Sequence, residues 1–113
     1  MELKIKIAED FSVTPGARHP EEGEYSGQEF RETVLLPKLK EAISNGERLV
    51  IDLDGTAGYG TSFLEEAFGG LIREEHISYD DIKKTLDFIS DEDPEYKDEI
   101  WAYIEAAHEQ EGD

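Results

Sequence analysis

Residues with chemical potential crowd into one stretch, LVIDLDGTAGYGTSFLEEAFGGL, residues 49–71. It holds a carboxylate pair, Asp52 and Asp54. It also holds three loop glycines, Gly55, Gly58 and Gly60, one aromatic residue between glycines, Tyr59, and two adjacent hydroxyls, Thr61 and Ser62. An apolar strand, then a glycine-rich loop, then a helix start is where α/β proteins place ligand and partner sites. The helix start adds unpaired amides and a partial positive charge, which favour an anion or a phosphate. Outside this stretch, Arg18 and Arg31 lie near Ser26-Gly27. In an acidic chain they read either as a clamp for a carboxylate or phosphate or as an internal salt bridge, to Asp54 or Glu66.

Asp52-Leu53-Asp54-Gly55-Thr56 resembles the opening motif of haloacid-dehalogenase-like phosphatases. That resemblance implies a nucleophile at Asp52, an acid/base at Asp54 and magnesium held by both. The rest of that family's set, a later Ser or Thr on a second strand, a Lys and a further acidic pair, does not follow. The same five residues also fit a plain Asp-Gly turn after a strand. No cofactor, resident metal or enzymatic activity is expected.

PGARHPEEGEYSGQEFRETVLLPKL (15–39) and LVIDLDGTAGYGTSFLEEAFGGLIR (49–73) resemble the STAS-like domain family, relatives of sulfate-transporter and anti-sigma-factor-antagonist domains. The resemblance implies a regulatory docking module. Its loop hydroxyl would be phosphorylated by a partner ATPase of the histidine-kinase type. Here that hydroxyl falls on Thr61 or Ser62, and the docking loop comprises Asp54, Gly55, Gly58, Tyr59, Gly60 and Phe63. Gly60 stands where the family usually has Asp, and Phe63 where it has Gly. Ser62 has a second reading as the cap of a helix, and Tyr59 reads equally as an exposed anchor or as a roof over the core.

The elements that must position these groups are legible by period. Residues 2–8 alternate with Leu3, Ile5 and Ile7 on one side, which predicts a half-buried strand. Phe11 and Val13 suit a second short strand, and 14–25 a loop. Ser26 with Glu29 forms a capping-box pattern that opens a helix running through Phe30, Val34, Leu35, Leu39, Ala42 and Ile43. Pro37 should kink or split it, and Asn45-Gly46 should close it. Residues 48–53 predict an interior strand. Ser62 with Glu65 repeats the capping pattern and opens a second helix. A helical turn over 78–83, a strand over 84–89 and a last helix begun by Asp93-Pro94 complete the chain. The order predicts a single small STAS-like α/β domain, residues 1–113. Its sheet should be mixed, mostly parallel, of about four strands, with helices packed on it.

The chain has 113 residues with 29 acids against 11 bases, a net charge of −18. That excludes non-specific nucleic-acid binding and disfavours an anionic membrane. It leaves a solvated surface, a basic partner, or an acidic mimic of nucleic acid that would act as an inhibitor. There is no cysteine, and His19, His76 and His108 are scattered, so thiolate and histidine metal sites are not expected. No apolar run is long enough to cross a membrane, and the N-terminus does not read as a signal peptide, so a cytoplasmic address is expected.

Overall fold

The computed structural model describes residues 2–111. Strand β1 (Glu2–Lys6) runs into a single helical turn, Ile7–Asp10. A loop with one 3-10 turn at Pro20–Glu22 leads to helix α1, residues 27–45. Strand β2 (Arg48–Asp52) and a second loop lead to helix α2, residues 61–73. Helix α3 (Tyr79–Thr85) passes directly into strand β3 (Leu86–Ile89), and helix α4 (Glu95–Glu111) ends the chain.

Among the described residues the sheet has three strands in the order β1-β2-β3, and both pairings are parallel. Lys4 stands opposite Val50, and Val50 opposite Asp87. The expected fourth strand and the mixed character are therefore corrected. Phe11 and Val13 form no strand, because the chain turns at Ile7. The Asp10 carboxylate accepts the Lys6 amide at 2.8 Å, and the Ile7 carbonyl accepts the amides of Phe11 and Ser12. The Phe11 ring then drops edge-on against Phe30, at 5.3 Å between ring centres.

The core lies between one face of the sheet and the helices. Ile5, Leu49, Ile51, Leu86 and Phe88 come from the strands. Phe30, Leu35 and Leu39 come from α1, and Phe63, Ala67, Phe68 and Leu71 from α2. Ile100, Ile104 and Ala107 of α4 complete it. Each set has the period its element requires, two for strands and three to four for helices.

Pro37 does not break α1. Just upstream, at Arg31–Leu35, the helix widens to a π turn in which the Leu36 amide reaches the Arg31 carbonyl five residues back. This local widening meets the missing proline donor without a break. The helix opens on Ser26, whose hydroxyl accepts the Glu29 amide at 3.0 Å, and closes on Gly46 in the left-handed region.

Candidate functional site

The loops that follow β2 and β3 meet at the C-terminal edge of the sheet, and side chains hold them together. Asp52, at the end of β2, accepts the Asp54 amide at 3.0 Å and faces the Lys6 ammonium at 3.3 Å. Both Asp54 oxygens accept backbone amides of the facing loop, from Glu92 at 3.0 Å and Asp91 at 3.1 Å. Glu92 returns the contact by accepting the Gly55 amide at 2.9 Å. Gly55 has φ of 93°, a conformation L side chains rarely adopt, and a Cβ there would press on Ala8. The carboxylate pair is thus committed to the turn. Among the described residues, no group of three or more His, Cys, Asp or Glu is arranged to hold a metal ion.

Tyr59 takes the roofing role. Its hydroxyl donates to the Leu53 carbonyl at 2.8 Å, and the Tyr96 hydroxyl accepts its amide at 3.2 Å. Its ring stands edge-on to Tyr96 at 5.1 Å. Burial holds the phenol far above the usual tyrosine range, so it stays protonated. Phe63, counted from the sequence as part of the docking loop, is fully buried among Phe11, Phe30 and Tyr59. Its position one turn into an amphipathic helix sends it to the core, and it is withdrawn from the docking surface.

The start of α2 also differs from expectation. Gly60, extended at φ −76° and ψ 155°, is the capping residue, and its carbonyl accepts the Leu64 amide. The helix begins at Thr61, so Ser62 is its second residue and caps nothing. Thr61 and Ser62 are both exposed, and neither hydroxyl bonds to another described residue. Gly55, Ala57 and Gly60 are exposed beside them. Behind this rim is a cleft of about 180 Å³ lined by Asp54, Thr56, Glu92, Asp93 and Tyr96.

Arg18 and Arg31 form internal salt bridges, and Glu66 rather than Asp54 is their shared partner. Arg31 is buried and donates to the Glu66 carboxylate and carbonyl, both at 2.7 Å, and to Glu75 at 3.0 Å. Arg18 bonds to Glu65 and to Glu66. Arg73 bonds to Glu65 at 2.7 Å and reaches Glu66 at 3.5 Å. Burial pushes the carboxyls of Glu65 and Glu66 up, but the arginine hydrogen bonds outweigh it and hold both below the usual range. Hydrogen bonds and charge from the glutamates raise Arg18, Arg31 and Arg73 further despite burial. Sequence reading missed Glu65, Arg73 and Glu75 here. The usable signal was the spacing of Glu66 and Arg73, two helical turns apart on one face.

The network ties the 14–25 loop and α1 to α2 directly behind Thr61 and Ser62. The two helix starts cross at Gly27, where an added Cβ would lie 2.6 Å from the Phe63 carbonyl oxygen. Sequence comparison matches the part of this assembly that runs from the cap of α1 through the loops after β2 and β3 to Tyr96, leaving out the 14–25 loop and Arg18. The family model for the STAS-like domain of unknown function (DUF4325) aligns with residues 26–96. The chain belongs to this family. No curated protein and no solved structure matches it significantly. In this STAS-like domain the matched span contains both central helices, β2, β3 and the whole 54–63 loop. Among its described residues, no helix is long and apolar enough to cross a membrane.

Proposed function

We propose that this STAS-like domain is a non-enzymatic regulatory module that docks on a protein partner through the rim formed by Gly55–Ala57 and Gly60–Ser62. Thr61 and Ser62 are its phosphorylation switch, and a histidine-kinase-like ATPase is the partner class that the family resemblance implies. One observation carries the reading. Gly60 caps α2 with its backbone, which leaves two neighbouring hydroxyls exposed and unbonded at the rim of a braced loop. Neither hydroxyl holds the helix start, so modifying either one breaks no capping bond.

The electrostatics give the switch its direction. A phosphate adds close to two negative charges at neutral pH. It would sit one turn from Glu65 and Glu66 in a chain already at −18. A partner surface fitted to the neutral rim would lose affinity through repulsion and desolvation.

The test starts with the native protein and whatever co-purifies with it. Intact-mass analysis should find a phosphate-sized increment that maps to Thr61 or Ser62. With the co-purified partner in hand, Thr61→Glu should bind at least about ten-fold more weakly than Thr61→Ala, a difference of ~1.4 kcal/mol. Equal affinities for the two variants, with no phosphate on either hydroxyl, would remove the switch.

A further inference from the structure

Three arginines reach the carboxylates of Glu65 and Glu66, and they differ in how fully they are used. Arg31 commits all three guanidinium nitrogens, Nε to Glu75, Nη1 to Glu66 and Nη2 to Glu32. Arg73 does the same, with Nε on Glu74, Nη1 on Glu65 and Nη2 on both Glu65 and Glu66. Arg18 reaches both glutamates through Nη1 alone. Its Nε and Nη2 carry three further N–H donors, and none of them bonds to a described residue. Its side chain is 34% exposed, against 3% for Arg31. Neither glutamate depends on it, since Glu65 also holds Arg73 and Glu66 also holds Arg31.

The helix places these spare donors beside one hydroxyl. Residues three and four apart on a helix are surface neighbours. Ser62 precedes Glu65 by three residues and Glu66 by four. Thr61 has only Glu65 in that relation, because its other such neighbour is the buried Leu64. Helical side chains lean toward the N-terminus, so the two carboxylates, with Arg18 across them, rise toward Ser62. Ser62 itself is exposed.

We infer that Arg18 is the phosphate-binding residue of this rim, and that it holds a phosphate on Ser62 but not one on Thr61. The inference rests on the phosphorylation reading above and adds which hydroxyl the protein itself responds to. A guanidinium fork offers two parallel donors to phosphate oxygens. The Nε and Nη2 of Arg18 form such a fork, and its use leaves the Nη1 bonds to Glu65 and Glu66 in place. The other charged or titratable groups around it are those two glutamates, Arg31, Arg73 and the Tyr103 phenol of α4. The two hydroxyls then have different outputs. A phosphate on Thr61 stays free to repel a partner. One on Ser62 folds back on Arg18 and fastens the 14–25 loop to the start of α2.

Phosphorus NMR titration of the full chain is the experiment, with phosphoserine installed during synthesis at position 61 or at position 62. A phosphate monoester takes its second proton with a pKa near 6, and a guanidinium in contact lowers it. The same modified residue at both positions removes any difference of residue type. The phosphate at 62 should titrate at least about 0.5 pH unit below the one at 61. Arg18→Gln should abolish that gap. Arg73→Gln, which takes the same charge from the same glutamates, should keep it. Circular dichroism melts check the fold of both variants, and the comparison of 61 with 62 in the otherwise unaltered chain decides even if one of them fails. Equal titration at the two positions overturns the proposal. So does a gap that Arg18→Gln preserves, or one that Arg73→Gln abolishes as fully. Because the phosphates are installed, the outcome is independent of what cells attach. A native protein without phosphate would remove the switch and leave the Arg18 contact standing, and equal titration would do the reverse.

Discussion

At the scale of single residues, Glu66 decides more than any other polar group. Its side chain is 5% exposed, and three arginines converge on it. Glu66→Gln removes the charge opposite buried Arg31, leaving Glu75, a backbone carbonyl and a neutral amide oxygen as its close partners, and should destabilise the fold by about 3 kcal/mol. Urea unfolding would measure it, and a loss below about 0.5 kcal/mol would mean that water or Glu75 fully replaces the carboxylate. The same network sets a pH dependence. Glu65 and Glu66 have folded pKa values below their ordinary value of 4.5. Below that ordinary value the unfolded chain binds more protons than the folded one, so stability is fully present above about pH 4.5 and falls as the pH drops through the folded values. Melting temperatures taken from pH 7 to pH 3 should show the decline. In Glu65→Gln/Glu66→Gln the decline should be shallower.

Single residues were also where sequence reading was least secure. That Arg31 would meet an internal carboxylate was legible, because a buried arginine seeks one, but the choice of Glu66 over Asp54 was not. The cap of α2 was not. Ser62-x-x-Glu65 satisfies the capping pattern, but Gly60 reaches the same extended geometry two residues earlier and takes the position with its backbone. A pattern of residue types carries no information about which candidate's backbone turns first.

Among elements, the strands and long helices followed from hydrophobic period, since a pattern repeated over five or more residues leaves few alternatives. The failures lie at ends and breaks. The strand expected at Phe11–Val13 was lost to a four-residue turn sealed by Asp10, a bond that depends on where Asp10 lands and not on β-propensity. Pro37 was rightly read as a disturbance, but its outcome, a helix that continues through a π turn ahead of the proline, is not carried by the residue types alone. Gly27 shows how tightly the helix starts cross. Gly27→Ala places a methyl group against the backbone of Phe63, which cannot swing away as a side chain could. A loss of about 2 kcal/mol is expected, against the gain alanine normally gives in a helix. Thermal unfolding of the variant reads the sign directly. Stabilisation would mean that α1 and α2 separate easily at this point.

At the scale of the whole molecule, the alternation of strands and helices was visible, and with it the mostly parallel pairing that such crossovers impose, while the strand number was not. Net charge acts at this scale as well. With −18 on a domain of 113 residues, self-repulsion opposes compactness. Raising sodium chloride from about 0.02 M to about 0.5 M shortens the screening length from roughly 20 Å to about 4 Å and should raise the melting temperature. A melting temperature that falls over this range would mean that the ion pairs contribute more than the repulsion removes.

The register that places Lys4 opposite Val50 also governs how the chain can fold. β1 is synthesised first, but its partner strand lies beyond the whole of α1, and β3 lies beyond α2 and α3. No hairpin is available to nucleate the sheet. Each pairing must close a long loop before it gains any contact, which places the domain among slower folders of its size. During synthesis β1 waits, unpaired and half apolar, until residues 48–52 emerge behind it. Its alternate lysines, Lys4 and Lys6, oppose pairing with another chain in that interval.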